Sequence, residues 1–365
     1  MTSPSDPTEL PTPALVVDVK TVRRNIAKMA DYARAHRLNL RPHAKTHKSI
    51  RVGRMQIEAG AIGLAVAKPG EAAVMAEAAN DLMVAYPAFD AFRTPVLMKL
   101  AAAGKTIRVA VDSREAVDRL ADAASEKIGI LVDLDVGFHR TGVQSPTAAT
   151  ELAKYIAQHN RVRLDGIMIF PGHVFSRAAE QQPALEAISA LLDETLGQWS
   201  RAGLKADIVS GGSTPSAMQS HAVRGLTEIR PGTYAYYDAN CVAGGWCSLD
   251  DCAARMTCTV VSTAVPSKCV IDAGSKTLTS DRRFDAPDKA GFGYVVELPN
   301  AKISRLSEEH GEIELNGEPP PKIGQRLTVI PNHICPCVNL HDRFWFREED
   351  GRLTESRVDA RGKVQ

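Results

Sequence analysis

Missing from this sequence is any apolar run approaching the roughly 20 residues that a membrane-spanning helix needs. The N-terminus also lacks a basic stretch followed by an apolar segment, so no secretory leader is expected and the chain is expected in the cytoplasm. Charge of one sign is missing too: 44 Lys and Arg against 43 Asp and Glu leave a net +1. Such a balance makes no field to gather nucleic acid or an anionic membrane, which leaves small-molecule chemistry. Seven cysteines are an odd number. Cys241, Cys247, Cys252, Cys258 and Cys269 have no CxxC spacing, which argues against a zinc knuckle or disulfide framework and for buried free thiols. There is no repeat at a solenoid period and no low-complexity tract.

What is present is ordinary globular material, 44% apolar and 24% charged in 365 residues. That length suits two domains, or a barrel of about 250 residues plus an appendage. Residues 1–10 read as a loose tail. From residue 11, short β-branched runs alternate with segments of helical periodicity, the pattern of repeated βα units. Strands are expected at 15–19, 38–42, 62–67, 82–86, 107–111, 128–135, 163–170, 206–210 and 226–230. With the first as a lead-in, eight remain, the number a (β/α)8 TIM barrel needs, and the barrel is placed at 11–250. Beyond it, 251–365 carries β-rich runs without helical pattern and reads as an all-β C-terminal domain, which the N-terminal strand could join. Barrel chemistry gathers at the C-terminal ends of the strands. Here those ends fall at 41–48, Lys68, Tyr86, 135–140, 170–173, 210–214 and 230–234.

RPHAKTHKS (41–49) sets Lys45 among cations and imidazoles just after a strand. A lysine forms a Schiff base only when its amine is partly deprotonated, and nearby positive charge favours that state. A basic surface loop is the commoner explanation of the same spacing. SGGSTPS (210–216) follows a strand and precedes a segment that could be helical, so its N–H groups could cradle a phosphate, and RPGTY (230–234) repeats the arrangement one unit later. Either alone is more often a tight turn. IPNHICPC (330–337) ends a strand; His333 and Cys335, at i and i+2, would share one face and suit zinc, although a packed pair is the commoner outcome. His173, in FPGH at a strand end, is a candidate acid–base residue or a loop hydrogen-bonder.

Taken in order, TPALVVD, RPHAKTHKS, LDVGFHRTG, SGGSTPS, EIRPGTYAYYD, IDAG, EEHG and PNHIC resemble the fold-type III pyridoxal-phosphate enzymes, an alanine racemase-like barrel group. The resemblance is to the branch holding D-serine dehydratases, D-threo-3-hydroxyaspartate dehydratases and D-threonine aldolases. It implies that Lys45 is the Schiff-base lysine. Gly212, Ser213, Thr214, Gly232, Thr233 and Tyr234 would bind the cofactor phosphate, and Arg140 would stand near its phenolic oxygen. His333 and Cys335 would hold a divalent metal, zinc in the dehydratases. A D-3-hydroxy amino acid as substrate and a homodimer are implied likewise.

The departures choose between activities. Aldolases of the group carry His-Cys-Asp at the metal and a Tyr-His-Gly turn; here the pair is His-x-Cys, and Pro171 replaces that turn's histidine. Dehydration to a 2-oxo acid and ammonia is therefore expected. The aldolase-like VNLHD (338–342) keeps retro-aldol cleavage to glycine and an aldehyde as the alternative. A racemase would need an opposing tyrosine and no metal, and a cofactor-buffering protein would lack the β-domain.

Overall fold

The computed structural model describes residues 6–365. The chain falls into two compact units. One comprises Ile26–Lys45, Ser49–Gly232 and Gly362–Gln365; the other comprises residues up to Asn25, Thr46–Lys48 and Thr233–Arg361. Strand β1 (Ala14–Asp18) belongs to the second, and helix α1 (Val19–Ala35) leads from it into the first.

The first unit is the expected barrel. Its strands are β2 (Asn39–Leu40), β3 (Leu64–Val66), β4 (Asp81–Val84), β5 (Thr106–Val111), β6 (Ile128–Leu134), β7 (Val162–Ile169), β8 (Ile208–Gly211) and β9 (Glu228–Ile229). All eight pair in parallel, in the order β2-β9-β8-β7-β6-β5-β4-β3. Three backbone hydrogen bonds close the ring between its ends: Ile62 N to Leu40 O (2.9 Å), Ala65 N to Pro42 O (2.8 Å) and Ala44 N to Ala65 O (2.8 Å). Helices α2 (Ile50–Glu58), α3 (Pro69–Met75), α4 (Thr94–Ala102), α5 (Arg114–Ala123), α6 (Pro146–Gln158) and α7 (Gln182–Arg201) alternate with the strands. Their starts are written locally: Ser49, Ser113 and Ser145 each accept an N–H of the first turn, and Pro146 stands where no donor is needed.

Residues facing into the ring alternate along each strand with outward ones, and those of neighbouring strands pack together in layers. One layer is apolar, with Met83, Ala110, Leu131 and Met168 packed together. Another is charged: Arg41 bonds Glu228 (3.0 Å) and Asp81 (2.6 Å), and Arg108 bonds Asp81 (2.5 Å) and Asp165 (2.6 Å). Arg163 closes on Asp165 as well. Gly129 makes room for this layer, because a Cβ there would lie 2.2 Å from Asp165 Oδ2.

The second unit is β-rich. Helix α8 (Ala239–Ala243) precedes β10 (Ala254–Ser262) and β11 (Lys268–Ile271), and α9 (Ser275–Leu278) follows them. Next come β12 (Tyr294–Val295), β13 (Lys302–Leu306), β14 (Gly311–Glu314) and β15 (Arg326–Ile330). Helix α10 (Ile334–Leu340), β16 (Arg343–Arg347) and β17 (Leu353–Arg357) complete it. The sheet path is β13-β14-β11-β10-β1-β16-β17, with β15 on β10 and β12. The lead-in strand β1 pairs antiparallel with β10 and parallel with β16.

Three expectations change. Residues 1–5 of the expected tail lie outside the described residues, but Pro7–Glu9 form a 3-10 turn capped by Asp6, and Leu10 is buried in an apolar cluster. SGGSTPS leads only into a 3-10 segment, Ala217–Ala222. His333 and Cys335 do not share a strand face: β15 ends at Ile330, His333 occupies the N-cap of α10, and Cys335 lies in its first turn.

Candidate active site

The surface-loop explanation of RPHAKTHKS fails on burial. His43, Thr46, His47, Lys48 and Ser49 are all buried, and Lys45 is partly so. Strand β2 ends at Leu40, so Lys45 sits on a turn beyond it, its N–H donating to His43 Nδ1 at 3.4 Å. Its Nζ stands 5.9 Å from the centre of the Phe170 ring.

Arg140 faces the same ring, Cζ to centroid 4.6 Å, and is 5.2 Å from Phe138, which meets Phe170 edge-on. The loop that carries it is wound around Asp135. One carboxylate oxygen accepts N–H bonds from Gly137, Phe138 and His139, each 3.0 Å, and the other meets His139 Nδ1 at 2.7 Å. Gly137 is required twice over: its φ is +115°, and a Cβ would lie 3.2 Å from the His173 ring. Burial pushes His173 below its ordinary value, so the imidazole is neutral at neutral pH, and its Nδ1 is buried with no hydrogen-bond partner among the described residues.

Beneath this mouth lie two charged groups. Thr141 donates to Asp133, and burial pushes the Asp133 carboxyl up to about 6 despite that bond. Arg230 is buried, held by Ser210 Oγ (2.5 Å) and Ile169 O (2.8 Å), and burial lowers it to about 10.

The glycine turns adjoin, Arg230 N donating to Gly211 O at 2.9 Å. Gly212 has φ +80°, so its neighbours' N–H groups can converge as a nest. Ser213 and Ser216 hydroxyls bond at 3.1 Å, while Thr214 Oγ1 is buried without a partner among the described residues. Gly232 ends the long central segment of this unit. A buried orphan hydroxyl, a nest and an amine at the strand ends fit a phosphate-bearing aldehyde such as pyridoxal phosphate.

In the β-rich unit, α10 begins unusually: His333 holds the N-cap position but its side chain does not cap. Asp238 takes that task. Its Oδ1 accepts Cys241 N (2.9 Å) and its Oδ2 accepts Ile334 N (3.1 Å). His333 Nδ1 lies instead 2.7 Å from Asp281 Oδ2. Burial would push His333 down, but charge on Cys335 and Asp238 and the bonds to Cys335 and Asp281 outweigh it and raise it to about 10. The Cys335 thiol lies 3.1 Å from Thr46 Oγ1 and 3.6 Å from Thr233 Oγ1. Tyr234 is fully buried. No group of three His, Cys, Asp or Glu at metal-holding spacing occurs among the described residues. Imidazole plus thiolate still suits a zinc-type ion that keeps positions for water and substrate.

Residues 17–240 match the family described as alanine racemase, N-terminal domain. The chain belongs to this fold-type III family of pyridoxal-phosphate enzymes. Residues 253–346 of this fold-type III enzyme match a putative serine dehydratase domain. A 3-hydroxy-D-aspartate aldolase of Paracoccus denitrificans is 30% identical, covering 98% of this chain and 94% of its own. The crystal structure of D-threonine aldolase from Filomicrobium marinum superimposes with a TM-score of 0.89 at 28% identity, over 98% of each chain. A D-threo-3-hydroxyaspartate dehydratase, solved as a cysteine-to-alanine variant in the metal-free form, does so at 0.88 and 26%, over 96% of this chain and 98% of that one. The resemblance drawn from the ordered motifs is thus borne out for family and fold. No helix among the described residues is long and apolar enough to cross a membrane.

Sequence reasoning passed over Asp133, Phe170, Asp238 and Asp281 as individual groups. Strand-end position could have flagged the first two. Asp281 lies 52 residues before His333, and no spacing rule joins them.

Proposed function

We propose that this chain is a pyridoxal-phosphate- and metal-dependent lyase that converts D-3-hydroxy amino acids to a 2-oxo acid and ammonia. The observation that carries the reading is the setting of Cys335: its thiol bonds the hydroxyls of Thr46 and Thr233, the residues that directly follow Lys45 and Gly232. The metal motif thus bonds two residues of its own unit that come next in sequence after the two cofactor motifs.

When bound, the coenzyme supplies an electron sink for charge at Cα, and a metal supplies Lewis acidity to the 3-hydroxyl. The chain does the rest. Lys45 offers the amine that holds the aldehyde carbon and takes the Cα proton. Arg140 places its charge on the Phe170 face, where a phenolate oxygen would be stabilised. Gly212, Ser213 and Thr214, with Gly232, Thr233 and Tyr234, hold the phosphate. Neutral His173 can accept a proton from substrate or pass one to a departing hydroxide. His333 and Cys335 hold the metal.

Dehydration is favoured because Pro171, which can neither take nor give a proton, stands where an aldolase of the group has histidine. Retro-aldol cleavage is the second reading, favoured by the aldolase that is 30% identical. D-serine, D-threonine and D-threo-3-hydroxyaspartate, with 2-oxo acid and glycine assayed together, separate the two, and glycine as main product overturns our preference. Lys45→Ala should abolish the visible absorbance that added pyridoxal phosphate gives the wild type. Cys335→Ala should lose both metal and turnover; full, chelator-insensitive activity in that variant would refute the metal assignment. We also infer a cytoplasmic homodimer, a location supported by seven cysteines that are all free thiols.

A further inference from the structure

We propose that Asp281 is the positioning residue of the metal-binding histidine: its carboxylate takes Nδ1–H of His333, fixes the tautomer that presents Nε2 to an ion, and so sets how tightly the site holds its metal. This rests on the metal reading above and adds a residue to it.

Imidazole exists as two tautomers, and a metal needs the lone pair on a defined nitrogen. A carboxylate on the opposite nitrogen keeps the proton there, orients the ring and raises the basicity of the donor. Asp281 Oδ2 stands 2.7 Å from His333 Nδ1.

The chain spends backbone strain to put it there. Thr279 adopts φ +72° and ψ 167°, a region used almost only by glycine. A β-branched residue persists in it only where its surroundings over-determine it. Here they do. Asp281 N donates to Thr279 Oγ1 (3.1 Å), and Asn332 Nδ2 donates to Asp281 O (3.0 Å) and to Gly291 O (2.8 Å). Asn332 is almost wholly buried and immediately precedes His333. The residue beside the histidine therefore fixes the main chain of the aspartate whose side chain fixes the imidazole. Further along the same loop, Phe284 stacks on Trp246, centroids 5.5 Å apart and rings nearly parallel, and donates its N–H to Asn240 Oδ1. Asp238 completes the arrangement by capping α10 in place of His333.

The test compares Asp281→Ala, Asp281→Asn and His333→Ala in the full chain loaded with coenzyme. Zinc affinity is measured by chelator competition, and the thiolate-to-cobalt absorbance is followed after cobalt(II) substitution. Asp281→Ala should bind zinc about 10- to 100-fold more weakly, with the coenzyme absorbance unchanged. Asp281→Asn, whose amide oxygen still accepts Nδ1–H, should recover most of that loss. His333→Ala should lose zinc altogether. Wild-type zinc affinity in Asp281→Ala, alongside loss in His333→Ala, overturns the inference and leaves the metal site standing. Equal weakening in the alanine and asparagine variants reassigns the effect to charge alone and overturns the positioning role. Wild-type affinity in His333→Ala refutes the metal reading itself.

Discussion

Replacing Asp133 by asparagine should make the protein more stable, and more so as the pH rises. The carboxyl is 5% exposed and held up at about 6 against an ordinary 3.8, mainly by burial. A raised carboxyl means that the folded state binds its proton more tightly than the unfolded chain does. Between pH 4 and 6 the folded state therefore loses stability as the pH rises, and above 6 the whole cost is present. At 1.36 kcal/mol per pKa unit, that cost is about 3 kcal/mol at pH 8, about 1.5 at pH 5 and about 0.5 at pH 4. Asparagine has no charge to desolvate, and its amide oxygen can keep the bond from Thr141. Denaturant unfolding of wild type and Asp133→Asn at those three pH values reads the difference directly. A gain that does not grow with pH, or no gain at pH 8, refutes the reasoning. A carboxylate kept at such cost beside Arg140 and Arg230 is more readily understood as serving the chemistry than the fold, so the stabilised variant should also turn over more slowly.

Gly129→Ala drives a methyl to within 2.2 Å of Asp165 Oδ2 and should destabilise the barrel by about 3 kcal/mol, read as a fall in Tm; a shift under 1 °C would sink the packing argument. Because His173 lies below its ordinary 6.5 through burial, the acid limb of kcat/KM should fall below pH 6.5 and flatten in His173→Asn. An unchanged limb in that variant would remove His173 from proton transfer.

The barrel was legible because its strands are the apolar, β-branched runs that burial on both faces demands. Even so, 226–230 shrank to the two residues of β9, since only Glu228 and Ile229 keep ladder geometry. Strands β13 and β17 escaped notice for the opposite reason. They lie at the two ends of the sheet path, and KISRL and LTESR each bury a single residue, Ile303 and Leu353. His333 and Cys335 were expected on one strand face and instead lie at the start of α10. Pro336 was the available signal, because a proline three residues past His333 suits the first turn of a helix and not a continuing strand. Lys45, Arg140 and the glycine turns could be named from their order along the chain. The partners that hold them, Phe170 for the cations and Asp135 for the Arg140 loop, depend on which strands close the ring.

The charged floor of the barrel limits how this protein can change. Asp81 and Asp165 are each shared by two arginines, and Arg41 is sealed from solvent between two carboxylates. Losing Arg41 or Glu228 leaves its partner as an uncompensated charge sealed from water, whereas an apolar floor would absorb single replacements of similar size. Drift there must come in compensated pairs or not at all, while the loops at the opposite rim stay open to revision one residue at a time.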